Sequence, residues 1–73
     1  QWGRLDNYNY TSYIEFPLKF SKIPIVVFQT QDINISHYTA HLVDVAMDKF
    51  SAVAHQTNGY TYNINIRWIA LGD

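Results

Sequence analysis

The last eleven residues, Asn63 to Asp73, read NINIRWIALGD and decide the fold class. They alternate between an apolar set, Ile64, Ile66, Trp68 and Ala70, and a second set, Asn63, Asn65, Arg67 and Ile69. Because successive side chains of a strand point to opposite faces, this pattern predicts a strand with one apolar face. Trp68 lies among the alternating isoleucines, so we expect it in the core.

Five further segments carry strand patterns separated by polar turns. They are 2–5 as a short edge strand, 10–16, 25–30, 38–45 and 50–55, and the final strand is 60–71. Ile25 to Phe28 are four successive apolar residues, typical of a strand covered on both faces. The polar stretch Asp6 to Asn9 predicts a turn, and Asn58-Gly59 is a hairpin signal. The spacing predicts an all-β sandwich in one domain over 1–73, with a short helix over 40–47 as the one alternative element.

The size of the chain predicts self-association. A domain of 73 residues buries only roughly 60% of its unfolded surface, and small domains usually add disulfides, a metal or partner chains. The chain has no cysteine, which excludes disulfides and thiolate zinc sites. Its histidines, His37, His41 and His55, follow neither HExxH nor His-x-His spacing. We therefore predict no metal site and no cofactor, and expect partner chains to supply the additional stability.

Charge and hydropathy exclude two classes of partner. A formal net charge of −1 argues against nucleic acid, whose binding needs a basic face. No apolar run approaches the roughly 20 residues of a membrane span, so we predict no membrane insertion. The chain shows no signal peptide and no initiator Met, and we expect it to be a piece of a longer protein.

The polarity of the chain comes from amides, hydroxyls and six tyrosines, since charged residues are only 15%, against about 25% in typical domains. Tyr and Asn are typical of adaptable binding surfaces, although Tyr and Thr also favour strands. Binding through such a surface uses ring platforms and hydrogen-bonding edges. Candidate platforms are Tyr38, Tyr60 and Tyr62, and candidate hydrogen-bond partners are Gln56, Thr57, Asn58, Asp32 and Asn34. The alternative is that Asn58-Gly59 is only a turn and the tyrosines form cross-strand pairs.

No catalytic motif is visible in the sequence. Paired carboxylates, GxSxG, a glycine-rich phosphate loop and a Ser-His-Asp arrangement are all missing. His41 and Asp44 could form a dyad, but strand alternation places residues three apart on opposite faces. Cleavage of a polysaccharide needs a carboxylate pair, and the six acidic residues are mostly isolated in sequence. We predict that the protein is not an enzyme.

Three segments of the chain stand in a characteristic order. They are QWGR at 1–4, IEFPLKFSKIPIVV at 14–27 and IRWIALGD at 66–73. In this order they resemble the C-terminal domain of phage and prophage tail-fibre proteins. Members of that family tend to open with Gln-Trp-Gly, carry Phe-Pro-x-x-Phe before the central strand, and finish with Trp-Ile-Ala-Ile-Gly or close to it. The resemblance covers nearly the whole chain.

The same order is similar to that of the H-type lectins, which include the snail agglutinin and the C-terminal part of discoidins. Those lectins bind galactose or N-acetylgalactosamine, and the resemblance implies a six-stranded antiparallel sandwich, a homotrimer, and carbohydrate as the target class. Where these lectins have an Arg before the fourth strand, this chain has His37, and near their Trp-His pair it has Gln56 and Thr57. Their Tyr early in the last strand is matched by Tyr62. The polar residues of their first loop are matched by Asp6 and Asn7. Only the Tyr is retained outright.

The resemblance implies the receptor-binding tip of a phage tail fibre, or of a phage-tail-like particle, located on the virion or on that extracellular particle. The expected partner is a bacterial surface carbohydrate, lipopolysaccharide or another glycan, bound by a homotrimer. The candidate ligand-binding residues are Asp6, Asn7, His37, Tyr38, Gln56, Thr57, Asn58, Tyr60 and Tyr62. Two alternatives remain open, namely a free H-type lectin and a structural trimerisation cap of the fibre.

Overall fold

The computed structural model describes residues 1–31, 38–56, 61 and 63–72, with the side chains of Gln31, Tyr38 and Gln56 left out. Within this part the chain forms six strands and no helix. They are β1 (Trp2–Tyr8), β2 (Ile14–Glu15), β3 (Ile25–Gln31), β4 (Tyr38–Val45), β5 (Lys49–Gln56) and β6 (Ile64–Leu71). The same part of the chain therefore contains no helix that could span a membrane.

The strands form two antiparallel sheets of three strands each. Sheet A has the order β1-β6-β3 and sheet B the order β2-β5-β4. The final strand, β6, is therefore the centre of sheet A, and one of its faces is apolar and buried, as its alternating pattern predicts. Because β6 is paired on both sides, a segment close to the end of the sequence is held by two ladders.

The core lies between the two sheets and is built around aromatic rings. The inward residues of β6, Ile64, Ile66, Trp68 and Ala70, are buried as predicted. The Phe16 ring lies 5.5 Å from the Trp68 ring and 5.7 Å from the Phe50 ring, and Phe50 and Trp68 are 5.5 Å apart. Phe20 meets Phe16 edge to face at 5.1 Å. The Phe-Pro-x-x-Phe element therefore supplies two rings to the centre of the sandwich.

Gln1 fastens the start of the chain to two other segments. Its side-chain amide donates to the Leu18 carbonyl at 2.7 Å and accepts from the Leu18 N–H at 2.9 Å. Its backbone nitrogen donates to the Ala70 carbonyl at 2.8 Å, and its carbonyl accepts from the Ala70 N–H at 2.7 Å. Gln1 thus pairs with β6 through its backbone and with the stretch after Phe16 through its side chain.

The predicted turn at Asp6 to Asn9 is wrong over most of its length, because β1 continues to Tyr8 through a register shift after Leu5. Tyr8 is buried, and its hydroxyl donates to the Ser12 carbonyl at 2.6 Å and accepts from the Ala52 N–H at 3.2 Å. This hydroxyl joins sheet A to sheet B. The predicted strand 10–16 shortens to β2, since a turn closes between Asn9 and Ser12.

The strand predicted over 38–45 is confirmed as β4, so the alternative of a short helix over 40–47 does not hold. A register shift between Leu42 and Asp44 places Asp44 opposite Ser51, whereas His41 lies opposite Val53. Ser51 and Val53 share one face of β5, so His41 and Asp44 lie on the same outer face of sheet B. The predicted opposite placement fails because the irregularity resets the strand alternation.

Strand β3 is covered on one face only within a single chain, which corrects the prediction of two covered faces. Val26 is buried, whereas Ile25 and Val27 are 68% and 59% exposed. On the same outer face of sheet A, Leu71 pairs with Ile25 and Ile69 pairs with both Val27 and Trp2. We call these five exposed side chains the apolar face: Trp2, Ile25, Val27, Ile69 and Leu71.

Candidate functional site

The strand register places four of the nine predicted ligand-binding positions near one end of the sandwich. Tyr8 lies beside Ile64, and Tyr38 lies opposite Gln56. The ends of β1, β3 and β5 and the starts of β4 and β6 therefore meet here. We call this region the loop end, made of Asp6–Tyr8, Gln31, Tyr38, Gln56 and Asn63–Asn65.

Four of the nine predicted ligand-binding residues fall on the described part of the loop end: Asp6, Asn7, Tyr38 and Gln56. Only backbone positions are described for Tyr38 and Gln56. The other five, His37, Thr57, Asn58, Tyr60 and Tyr62, lie outside the described residues. Asp6 and Asn7 are therefore the two predicted side chains whose contacts can be followed.

Asn7 holds the loop end together. Its φ of 56° lies in the left-handed region, which Asn tolerates better than most residues. The Asn7 N–H donates to Asn65 Oδ1 at 2.9 Å, and Asn63 Nδ2 donates to Asn7 Oδ1 at 3.1 Å. The amide oxygen of Asn7 already accepts the hydrogen bond from Asn63. The main role of Asn7 is therefore to fix the bend of β1, and contact with a ligand is secondary.

Asp6 presents a charged carboxylate at the same end. Arg4 donates from Nε to Oδ1 at 3.2 Å and from Nη2 to Oδ2 at 3.0 Å, and both side chains are more than half exposed. The hydrogen bond from Arg4, its charge and the charge of Arg67 lower the pKa of the Asp6 carboxyl below its usual range. A carboxylate has about four acceptor positions, so two remain for a sugar hydroxyl or a partner donor.

A broad groove of about 510 Å³ runs over the outer face of sheet A. Its side chains include Trp2, Arg4, Val27, Gln29, Arg67 and Ile69. Sequence reasoning did not single out this groove, although its members stand at the outward positions of β1, β3 and β6. The signal that could have found it is the placement of Trp2, Val27 and Ile69 on the faces opposite the core residues.

The basic part of the groove is formed by Arg4 and Arg67, and Asp6 reduces the repulsion between them. Arg4 and Arg67 are direct cross-strand partners, and Gln29 pairs with Arg67 from the other side. Like charges directly opposite each other destabilise a strand pair. Asp6 offsets this repulsion because it is bonded to Arg4 and interacts electrostatically with Arg67.

The outer face of sheet B carries a second polar cluster. Tyr13 Oη donates to Asp44 Oδ2 at 3.0 Å, and the Lys49 ammonium lies 4.5 Å from the centre of the Tyr13 ring. Asp44 raises the pKa of Tyr13, because it accepts the phenol hydrogen bond and repels the phenolate. Farther along the sheet the rings of His41 and His55 meet edge to face. Within the described ranges, no group of three or more His, Asp or Glu side chains is placed to hold a metal ion.

The chain was compared with protein families, curated proteins and solved structures. The model of the family described as "Putative tail fiber protein gp53-like, C-terminal" matches residues 1–73. Comparison with curated proteins and with solved structures found no match. The family match spans the three segments QWGR, IEFPLKFSKIPIVV and IRWIALGD, on which the sequence-based expectation depends.

Proposed function

Because the chain belongs to the gp53-like C-terminal family of phage tail fibre proteins, we propose that it is the receptor-binding tip of a tail fibre or of a related phage-tail-like particle. In this proposal it attaches the particle to a glycan on the bacterial surface. The family match over residues 1–73 is the observation that carries the proposal, and it also supports an association with the virion.

The chemistry of the loop end supports glycan binding. Asp6 is an exposed carboxylate, and its neighbour in the chain, Asn7, is hydrogen-bonded to the side chains of Asn63 and Asn65; sugars bind through such planar groups. The segments that carry Tyr60 and Tyr62 connect to this end, and these rings are the proposed platforms. Loops held by a rigid scaffold commonly carry function, and here two paired sheets form the scaffold.

The apolar face supports assembly as a homotrimer. Monomeric proteins rarely expose contiguous apolar patches unless the patch is an interaction site. Trp2 is 79% exposed and lies beside Ile69, which contacts Val27 on the other strand. Burying a large apolar side chain contributes about 1.5–3 kcal/mol. Three copies would each bury these side chains, and avidity would strengthen weak single-site binding.

Assembly through the apolar face also decides between the two candidate ligand surfaces. The groove on sheet A shares Trp2, Val27 and Ile69 with the apolar face, so a neighbouring copy would cover much of it. The loop end lies at the margin of sheet A, where Asn7 and Asn65 meet. We therefore assign glycan binding to the loop end and self-association to sheet A.

A structural trimerisation cap is the second candidate function, and the apolar face favours it as well. In that case the domain holds the fibre chains together while another part of the fibre binds the receptor. The two functions share one assembly and differ only in whether the loop end binds a glycan.

Light scattering and a glycan array on the same purified chain test both functions. We expect a mass near three times 8.5 kDa and selective binding to bacterial glycans. Asp6→Asn should weaken that binding, whereas Asp48→Asn makes the same change in the β4–β5 turn at the opposite end and should not. A trimer that ignores every glycan would favour the cap, and a stable monomer would contradict both functions.

A further inference from the structure

The outward side chains of sheet A change from apolar to basic towards the loop end. The apolar face fills the rows farthest from that end, and the next row holds Arg4, Arg67 and Gln29, which are direct neighbours across β1, β6 and β3. We call these three exposed side chains the basic row. Arg67 and Asn65 lie on the same face of β6, two positions and therefore about 6.5–7 Å apart. The basic row thus lies between the proposed assembly surface and the loop end.

The pairing of Arg4 with Arg67 does not favour folding, because like charges directly opposite each other destabilise a strand pair. Asp6 neutralises one of the two positive charges through its hydrogen bonds with Arg4, and the other charge remains on the row. Positions that break a local rule of stability are commonly functional sites. An anionic group bound at the basic row would neutralise the remaining charge, so the row favours an anionic ligand.

Arg67 is the member of the basic row best placed to hold such a group. Arg4 already donates to both carboxylate oxygens of Asp6, whereas the guanidinium of Arg67 forms no hydrogen bond with the residues that the structure describes. A guanidinium presents five N–H donors in a planar fork that matches a carboxylate or a phosphate. Gln29, the direct partner of Arg67 on β3, carries an amide that can donate as well. The row therefore offers a charged fork and an amide side by side.

We propose that the basic row binds an anionic group, a carboxylate or a phosphate, of an acidic bacterial polysaccharide. This inference rests on the proposed function and narrows the receptor from surface glycans in general to acidic ones. The charged group of one polymer binds Arg67, and hydroxyls of a neighbouring sugar unit bind at the loop end. Hydrogen bonds between ionised groups are about twice as strong as those between neutral groups, so the row selects acidic polymers over neutral ones.

A glycan array of acidic bacterial polysaccharides, with carboxyl-reduced and dephosphorylated copies of the same polymers, tests the site. We expect binding to the acidic polymers, and the treatment that abolishes binding identifies the group as a carboxylate or a phosphate. Arg67→Gln should weaken binding about tenfold or more, as expected when a hydrogen bond to a charged group is lost. Arg67→Lys keeps the charge without the fork and should lose less. Lys22→Gln removes a positive charge from the exposed segment before β3 and, as the matched control, should bind like the unmodified chain.

NMR of the arginine Nε–H groups, with short fragments of the best-bound polymer, shows whether Arg67 itself contacts the anion. We expect the Arg67 signal to shift with the acidic fragment and not with its neutralised copy. Circular dichroism and light scattering check that each variant keeps the fold and the mass of the unmodified chain.

Two results would overturn the inference and leave the proposed function standing. One is equal binding of the acidic and the neutralised polymers, and the other is unchanged binding by Arg67→Gln. An Arg67 signal that responds as strongly to inorganic phosphate alone would also overturn it, because the row would then hold a free anion. Failure to bind any glycan would overturn the receptor-binding function together with the inference.

Discussion

Gly3 shows how one position of the Gln-Trp-Gly opening is fixed by a distant ring. A Cβ added at Gly3 would lie 2.7 Å from Trp68 Cζ2 and 2.8 Å from Cε2. Trp68 cannot retreat easily, because Phe16 and Phe50 pack against it. Position 3 therefore needs a residue without a side chain, and β1 approaches β6 closely enough to cover the indole.

Gly3→Ala is expected to destabilise the fold by about 1–3 kcal/mol, the usual cost of overpacking a core. Urea unfolding followed by Trp fluorescence measures this change. Gly72→Ala is the comparison variant and should cost less, because the nearest atom to its added Cβ would be Phe20 Cδ1 at 3.1 Å, a milder overlap than at Gly3. Equal stability of the Gly3→Ala variant and the unmodified chain would contradict the assigned role of Gly3.

The backbone of Asn7 leads to a second prediction at the same scale. A left-handed conformation costs roughly 1–2 kcal/mol for most residues and nothing comparable for glycine. Asn7→Ala should therefore be about 1 kcal/mol less stable than Asn7→Gly in urea unfolding, although both lose the hydrogen bond from Asn63. Similar midpoints for the two variants would show that φ at position 7 is not a constraint.

Single residues were predictable from the sequence only where their role is local. The buried placement of Trp68 follows from its own strand pattern, and the structure confirms it. The roles of Tyr8 and Asn7 do not follow in this way, because their partners Ala52 and Asn65 are 44 and 58 positions away. In the sequence alone, polar residues such as Asn7 are typical of a turn, and only the strand pairing shows that they belong to β1.

At the scale of elements, Tyr13, which directly precedes β2, connects that strand to β4. Its hydroxyl reaches Asp44, and its ring lies under the Lys49 ammonium of β5. The register shift near Leu42 makes this contact available, since it turns Asp44 to the outer face. The register shift in β4 thus allows Tyr13 to connect β2, β4 and β5 through its contacts with Asp44 and Lys49.

The Tyr13–Asp44 contact predicts an alkaline titration. Folding raises the pKa of Tyr13 above its ordinary value of 10.0, so the contact stabilises the fold below that pH and this stabilisation is lost as the pH rises through the raised pKa. Asp44→Asn should return the Tyr13 titration, followed by ¹³C NMR of the phenol carbon, towards the ordinary value. Asp48→Asn should leave it unchanged. An unaltered curve in the Asp44→Asn variant would show that Asp44 is not the cause.

The six strands were predictable in number and approximate place, because each carries a period-2 pattern or a turn signal of its own. β3, β4, β5 and β6 lie close to their predicted ranges, and β6 keeps its predicted apolar face along its whole length. β2 is shorter than predicted because a turn closes between Asn9 and Ser12, which the alternation of residues 10–16 does not reveal. The alternation within β4 fails for a similar reason, since a bulge has no local signature there.

At the scale of the whole molecule, the sandwich is long and thin. Its extents are 38 × 19 × 16 Å, and its radius of gyration of 12.3 Å exceeds the about 11 Å typical of a compact chain of this length. A thin body leaves much of its apolar area outside. The two-sided apolar pattern of Ile25 to Phe28 is therefore a feature that an assembly explains better than the single chain.

The apolar face predicts that a charge introduced on sheet A affects assembly, whereas a charge introduced on sheet B does not. Val27→Asp on sheet A should convert the proposed trimer to a monomer, because buried unpaired carboxylates cost several kcal/mol each. Val43→Asp on sheet B is the matched control, since Val43 and Val27 are 60% and 59% exposed. Light scattering distinguishes 8.5 kDa from three times that mass. A trimer that survives Val27→Asp, or one that dissociates with Val43→Asp, would contradict the assignment of the interface.

The pairing of β1 with β6 also has a mechanical consequence. Gln1 bonds to Ala70 at one end of this ladder, and Tyr8 lies beside Ile64 at the other, next to the loop end. A force applied between Gln1 and the loop end acts along the strands. The hydrogen bonds between β1 and β6 are then loaded together in shear and do not break one after another. The domain therefore resists tension best along the direction from Gln1 to the loop end.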